Sequence, residues 1–160
     1  MDEALQQKAQ QAEEKARQYF REGLNCSECV LRSFLDLNDV DLPDEIMTLA
    51  SGFGGGMGQT RNTCGAISGA MLAVGTLRGR RNPMAKATPA ERIQEIRATY
   101  PPFKALIEHL QDHYGTLICR ELNEAYKDDF DGKPRKKNCQ QIIGYCAAKA
   151  IEYANWKAEE

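Results

Sequence analysis

The sequence has little net charge and no long apolar run. Its formal charge at pH 7 is -2, so it offers no general electrostatic attraction to nucleic acid or to an acidic membrane surface. The longest apolar stretches, such as AMLAVG at 70–75, are far shorter than a membrane span, and we expect no membrane insertion. The opening MDEALQQKAQQAEEKARQ is charged throughout, which is unlike a secretory signal.

Strand patterns and internal boundaries are also missing. No stretch alternates apolar and polar residues with an enrichment of β-branched side chains, so we expect no strands. No repeat or linker divides the chain, and 160 residues are enough for one hydrophobic core. The sequence therefore predicts a single all-α domain over 1–160, a multi-helix bundle of roughly six to eight helices with a glycine-rich interhelical loop.

The first 22 residues predict an amphipathic N-terminal helix, and residues 23–150 predict a core that carries the cysteines. Ala9, Ala12 and Ala16 fall on one narrow stripe of that helix. Because alanine is small, such a stripe lets a second helix approach closely. We expect the partner to be the domain's own body, and a homodimer through the N-terminal helix is the alternative.

Capping residues and apolar spacing predict the later helices. Asn25 is typical of an N-cap for a helix that begins at Cys26, and Pro43 suits the first turn of a helix that runs to Ala50. Asn62 or Thr63 should cap a central helix over about 64–77. Further helices are expected at about 88–98, 103–110, 116–126 and 139–156, whereas KDDFDGKPRKKN at 127–138 is expected to be a solvated loop.

The chain contains six cysteines. Without an export signal they indicate a reducing compartment, and we expect a cytoplasmic protein. Cys26 and Cys64 each lie at a predicted helix start, where unpaired amides and the helix dipole should lower the pKa of a thiol. For any single cysteine the alternative is a small buried apolar residue.

Glycines surround Cys64 in the stretch SGFGGGMGQTRNTCGAISGA at 51–70. This stretch lacks the ending of a P-loop and the spacing of a dinucleotide fingerprint. Either the glycines form a tight turn with close helix packing, or they expose backbone amides to a ligand beside Cys64. The candidate cofactor-binding positions are Gly54, Gly55, Gly56, Gly58, Gly65 and Gly69.

Two further polar groups are weaker candidates. His109 and His113 stand four residues apart, which permits shared metal ligation, but HLQDH lacks the glutamate of HExxH. A polar helix face is the simpler interpretation. Four arginines flank the glycine-rich helix and are candidates for holding an anion, although the length of the helix argues against one shared site: Arg61, Arg78, Arg80 and Arg81.

Five segments, in this order, resemble a family that is labelled by its cysteine pattern, C-GCAxxG-C-C, and designated redox-active. The segments are NCSECVL at 25–31, LASGFGGGMG at 49–58, TCGAISGA at 63–70, CRELN at 119–123 and NCQQIIG at 138–144. The resemblance implies a small helical protein with four characteristic cysteines, which are Cys26, Cys64, Cys119 and Cys139 here. The label has glycine before its second cysteine, whereas here Thr63 precedes Cys64 and Gly65 follows it. Cys29 and Cys146 lie outside the set.

Three functions remain open at this point. In a thiol redox protein, Cys64 would attack a disulfide or accept oxidation and Cys26 would resolve the mixed species, with Cys119 and Cys139 as a second pair or a relay. Its partner would be a redox protein or a small thiol or disulfide compound. Alternatively, the four cysteines ligate a metal or an iron–sulfur cluster. The last alternative is a non-catalytic helical oligomerisation module. We favour the first, and whether the protein is an enzyme stays open.

Overall fold

The protein is an all-α bundle, as predicted, and the computed structural model describes residues 1–158. The helices are α1 (Glu3–Arg21), α2 (Cys26–Leu37), α3 (Gly54–Met57), α4 (Gly65–Arg78), α5 (Pro89–Thr99), α6 (Pro101–Tyr114), α7 (Cys119–Leu122) and α8 (Lys133–Ala154), with 3-10 helices at Asp44–Phe53 and Glu124–Asp129. Over residues 1–158 no strand forms, and one isolated bridge joins Thr63 to Ile118. The last two residues of the predicted domain, 159–160, lie outside the described residues. None of the helices within 1–158 combines the length and the apolar character that crossing a bilayer requires.

The core lies between four helices, α1, α2, α4 and α8, which all pack on one another except for α1 and α4. Its largest fully buried side chains are aliphatic or aromatic, and they include Leu31, Phe34, Ile67, Ile143 and Ile151. Removing these side chains from water is the main favourable contribution to folding. Helix α6 covers one side of α4 and α8 with its buried residues Leu106 and Leu110.

The alanine stripe of α1 is buried inside the chain. Ala12 and Ala16 are 0% exposed, and α1 packs along α8. On the facing side of α8, a methyl group at Gly144 would lie 2.5 Å from Nε of Arg17, so the two helices approach as closely as small residues allow. The expected packing of the stripe within the chain is therefore confirmed, and a homodimer through α1 would have to use another face of the helix.

The start of α2 follows the predicted capping. Asn25 accepts a hydrogen bond from the Glu28 N–H at 2.9 Å, and the Glu28 carboxylate accepts one from the Asn25 N–H at 3.2 Å. This reciprocal capping box satisfies two amides at the helix start and sets Cys26 as the first helical residue.

The cap of α4 differs from the prediction. Cys64 itself is the N-cap, without a side-chain capping bond. Asn62 and Thr63 are engaged instead with the segment before α7, because the Asn62 carbonyl accepts from the Cys119 N–H at 2.7 Å and Thr63 pairs with Ile118. The tertiary contact thus moves the cap by one residue.

Three predicted segments are wrong in type or extent. The segment before Ala50 is a 3-10 helix, and since Ala50 is its one fully buried residue, packing does little to favour a regular α-helix there. The helix expected at 116–126 is divided into α7 and a 3-10 helix. The segment 133–138, expected to be loop, forms the beginning of α8, because Pro134 occupies the first turn, where a missing N–H costs nothing.

Candidate functional site

The four cysteines of the pattern lie at or near the starts of helices. Cys26 is the first residue of α2, Cys64 caps α4, Cys119 is the first residue of α7, and Cys139 lies in the second turn of α8. Cys64, Cys119 and Cys139 are 7%, 6% and 7% exposed, whereas Cys26 is half-buried. All of these residues, with Cys29 and Cys146, are unpaired thiols in the described chain.

Glycines allow the backbones that carry these cysteines to come together. A methyl group at Gly65 would lie 2.7 Å from the Phe53 carbonyl oxygen and 3.0 Å from Cβ of Cys26. A methyl group at Gly56 would lie 2.7 Å from Cβ of Cys119. Such distances leave no room for any side chain, so Gly65 is required for the close approach of α4 to α2, and Gly56 for that of α3 to α7.

The other candidate glycines serve packing or the turn. Gly54 lies against Asn25, and Gly69 lies against the backbone of Ser27, with methyl positions at 2.7 Å and 2.8 Å from them. Gly55 and Gly58 have φ of 64° each, which favours glycine. Close packing and a tight turn therefore account for these positions, and their contact with a cofactor stays a prediction.

Burial, rather than the position at a helix start, determines the pKa of Cys26 and Cys64, the two thiols expected to be activated. It raises the pKa of Cys64 to about 12, and a neighbouring Cys26 thiolate adds to the rise, although the N–H groups of Ala66 and Ile67 oppose it. Burial also raises the pKa of Cys26 to about 11, with Cys139 adding and the N–H of Gly55 opposing. The expected lowering is therefore wrong, because desolvation of a thiolate outweighs the amides at a helix start.

The thiols of the set affect one another electrostatically, which places them in one neighbourhood. The pKa of Cys119 is raised by burial and then by Cys139, while the guanidinium groups of Arg135 and Arg61 lower it. Cys26 is influenced by both Cys139 and Cys119, and Cys64 by Cys26. The folded helices thus gather cysteines that are far apart in the chain.

Asn123 joins two of these thiols, and the sequence analysis did not single it out. It is 2% exposed, its amide N–H donates to the Cys119 carbonyl at 2.9 Å, and its amide oxygen accepts from the thiol of Cys139 at 3.5 Å. The same oxygen also accepts from the side chain of Asn138 at 3.1 Å. A signal was present, since Asn123 ends the CRELN segment of the family pattern.

Two arginines and Phe130 lie beside the thiols. Cζ of Arg61 is 3.7 Å, and Cζ of Arg135 4.5 Å, from the centre of the Phe130 ring. Arg135 also places Nη1 3.5 Å from the sulfur of Cys139. The ring therefore holds both guanidinium groups by cation–π contacts.

A cleft of about 980 Å³ opens next to this group, and its walls include Cys26 and Gly55. Of the six cysteines, Cys26 is the one that lines it. Its cationic residues are Arg21, Arg61, Lys133, Arg135, Lys136 and Lys137, and Asp131 supplies an opposing charge. This cleft does not follow from the sequence pattern, because KPRKKN at 133–138 is typical of a solvated loop.

The remaining candidates do not join the site. His109 bonds to the hydroxyl of Tyr145, with 2.7 Å between Nε2 and Oη, and burial lowers the pKa of His109. Nowhere in residues 1–158 do three or more His, Cys, Asp or Glu side chains stand together in a way that suits a metal ion. The residues present in 1–158 therefore do not fit a cysteine-ligated metal.

The other candidates are buried or make hydrogen bonds within the chain. They are Cys29, Cys146, Arg78, Arg80 and Arg81. The two cysteines are 0% exposed, and the Cys29 thiol lies 3.6 Å from the Leu24 carbonyl oxygen. Arg78 donates to carbonyls at the end of α8, Arg80 to the Arg92 carbonyl and Arg81 to Asp41. Only Arg61 of the four lines the cleft, so no shared anion site forms around α4.

These features define a class, a helical protein with several thiols at or near helix starts beside a basic cleft. More particularly, the chain belongs to the family described as "Putative redox-active protein (C_GCAxxG_C_C)", whose pattern matches residues 24–153. The resemblance noted in the sequence is thereby confirmed. Comparison with the curated proteins and with the solved structures gives no match.

Proposed function

We propose that the protein is a thiol redox protein in which Cys26 reacts with a disulfide substrate and Cys64 completes the exchange. The observation that supports this is the position of Cys26 on the wall of the cleft, while Cys64 is more deeply buried and does not line the cleft. The residue after Cys64 touches Cys26, because a methyl group at Gly65 would lie 3.0 Å from Cβ of Cys26.

This assignment reverses the roles expected from the sequence. Cys64 was expected to meet the substrate through the glycine loop, but it is 7% exposed. A buried thiol cannot be the first to meet a molecule from solvent, whereas it is well placed to attack a sulfur that has already become attached to Cys26.

The reaction transfers two electrons in two steps. The thiolate of Cys26 attacks one sulfur of the substrate disulfide, a mixed disulfide forms, and the first substrate thiol leaves. Cys64 then attacks the sulfur of Cys26, a Cys26–Cys64 disulfide forms, and the second substrate thiol leaves. The protons of the two cysteines end on the two released thiols, so the substrate is reduced and the protein is oxidised.

The raised pKa values support this direction. Oxidising thiol proteins hold their reduced state by stabilising a thiolate. Here burial raises the pKa of Cys26 to about 11 and that of Cys64 to about 12, so neither thiolate is stabilised at neutral pH. We take the protein as the electron donor, and because little Cys26 thiolate is present at neutral pH, the exchange should become faster as the pH rises towards about 11.

Cys119 and Cys139 would form the second pair or relay of this mechanism. Cys139 and, less strongly, Cys119 raise the pKa of Cys26, so both thiols lie near enough to affect it. Through Cys139 the Cys26–Cys64 disulfide would exchange with the pair that is joined at Asn123.

The test is disulfide mapping by mass spectrometry after the reduced protein is treated with less than one equivalent of a small disulfide. We expect a Cys26–Cys64 bridge in the unchanged protein and a stable adduct on Cys26 in Cys64→Ser. Cys29→Ser is the matched control, since its hydroxyl can still donate to the Leu24 carbonyl, and it should give the normal bridge. Native protein in which Cys26 stays unmodified would overturn the proposal.

A further inference from the structure

We infer that the cleft beside Cys26 binds small organic disulfides that carry several negative charges, as phosphates or carboxylates, and presents their sulfur atoms to Cys26. This inference rests on the proposed function, which makes Cys26 the reacting thiol. It adds the chemical class of the substrate, which neither the cysteine pattern nor the family description contains.

The cleft is large and its walls are mainly cationic. Its volume of about 980 Å³ suits a ligand larger than a free inorganic anion, since pockets for organic ligands measure about 300–1,000 Å³. Six cationic residues line it against the single carboxylate of Asp131, although the whole chain has a formal charge of -2. The positive charge is therefore concentrated at this cleft and would favour anions there.

The start of α8 carries charge of the sign that destabilises a helix. Lys133, Arg135, Lys136 and Lys137 all lie in its first five residues, and its first turn has no acidic residue. One carboxylate, that of Asp129, packs against the N-cap residue Gly132 and offsets part of this charge. The positive end of a helix dipole prefers negative charge, as at α2, where Glu28 lies in the first turn. A bound anion would add negative charge to this helix start, where it would meet the cations of the first five residues and the positive end of the helix dipole.

Arg61 is held in place by the fold before any ligand arrives. Its φ of 60° is rare for a residue with a side chain and strains the backbone. The strained turn is closed by the Arg61 N–H, which donates to the Gly55 carbonyl at 3.0 Å. The guanidinium group packs on Phe130, and a fixed guanidinium is well suited to bind phosphate or carboxylate in a two-pronged manner.

The first experiment compares the exchange rates of four disulfides with the reduced protein. Glutathione disulfide supplies carboxylates, coenzyme A disulfide supplies phosphates, bis(2-hydroxyethyl) disulfide is neutral and cystamine is cationic. Each rate is divided by that of the same disulfide with a free small thiol. At low salt we expect an anionic disulfide to react about tenfold faster than cystamine by this measure, with the difference shrinking as salt screens the charges. The two anionic arms distinguish phosphate from carboxylate recognition.

A charge variant tests the cleft directly. The triple substitution Lys133→Gln, Lys136→Gln and Lys137→Gln removes exposed cations from its wall. It should lower the rate with the preferred anionic disulfide about tenfold and change the rate with the neutral one less than about twofold. The matched control is Lys86→Gln, Lys104→Gln and Lys157→Gln, which removes three exposed cations outside the cleft and should leave both rates unchanged.

A binding measurement on a variant that cannot exchange disulfides tests this inference separately from the proposed function. Cys26→Ser, titrated calorimetrically with each anionic disulfide, should bind one of them and lose that binding when the three cleft lysines are also replaced. If binding occurs but Cys26 never exchanges in the unchanged protein, the cleft inference stands and the proposed function falls. If exchange occurs without preference for negative charge, or the lysine variant matches its control, the cleft inference is overturned and the proposed function stands.

Discussion

The thiol of Cys139 donates to the amide oxygen of Asn123, with 3.5 Å between Sγ and Oδ1. The other side of the same amide bonds to the Cys119 carbonyl at 2.9 Å. A neutral residue that is 2% exposed thus connects two helix starts and two thiols. Such a buried amide is costly to disturb, since each unsatisfied partner loses its hydrogen bond without gaining water.

Replacing Asn123 by Ala should destabilise the fold and alter the second thiol pair. We expect a loss of about 1–3 kcal/mol in the free energy of unfolding, together with faster alkylation of Cys119 and Cys139. Asn155→Ala is the control, because Asn155 makes a similar bond to the Ile151 carbonyl at 2.9 Å far from the thiols in the chain. A variant with unchanged melting and unchanged alkylation would contradict this role of Asn123.

Replacing Gly65 by Ala should push apart the starts of α2 and α4. The added methyl would lie 2.7 Å from the Phe53 carbonyl oxygen and 3.0 Å from Cβ of Cys26, and overpacking of this kind costs about 1–3 kcal/mol. Denaturant unfolding measures the loss, and disulfide mapping should show less Cys26–Cys64 bridge. Gly52→Ala is the control, because a methyl group there meets nothing within 4 Å. Equal stabilities for the two variants would refute the steric argument.

The stability of the reduced protein should fall as the pH rises above 9. The ordinary pKa of a cysteine is 9.0, whereas burial raises that of Cys26 to about 11 and that of Cys64 to about 12. Between these values the unfolded chain releases protons that the folded chain keeps, so each such thiol lowers the free energy of unfolding by up to about 1.4 kcal/mol per pH unit.

Urea unfolding between pH 8 and pH 10, under a reducing agent, tests this linkage. Cys64→Ala should make the decline of stability with pH shallower, because one of the titrating thiols is gone. Lys86→Gln changes no cysteine and should show the full decline. If stability falls with pH as steeply in Cys64→Ala as in the unchanged protein, the pKa of Cys64 is not raised by folding.

Replacing Ala12 by Glu should destabilise the chain itself rather than separate two copies. Ala12 is 0% exposed and faces the interior of the bundle, so a carboxylate there would be both desolvated and overpacked, costing several kcal/mol. Thermal melting by circular dichroism should show the loss, whereas Ala4→Glu, at an exposed position of the same helix, should not. Sedimentation that shows a halved mass with unchanged melting would instead support a dimer through the stripe.

Helical periodicity and capping were enough to predict the class of the fold and much of its outline. The all-α architecture, the buried alanine stripe and the Asn25 cap of α2 all follow from local spacing, because each depends on residues within one or two turns. The placement of the four pattern cysteines near helix starts was only partly predictable, since Cys119 was expected inside a longer helix.

The features that the sequence could not predict depend on contacts between distant segments. The Cys119 N–H bonds to the Asn62 carbonyl at 2.7 Å. The helix expected at 116–126 therefore begins only at Cys119. The pKa of Cys64 depends on how deeply the bundle buries it, which local sequence does not reveal. The start of α8 is different. Pro134 is typical of the first turn of a helix, but the run of cations around it favoured a solvated loop.

The glycine contacts have a consequence for how the chain tolerates change. At Gly54, Gly56 and Gly65 one backbone rests directly on a neighbouring residue, with methyl positions at 2.7 Å. The spacing of these segments is thereby set by glycines that lie directly against Asn25, Cys119 and the Phe53 carbonyl. Substitutions on the surface away from these contacts therefore need not move one cysteine relative to another. The surface residues can change while the arrangement of the cysteines stays the same.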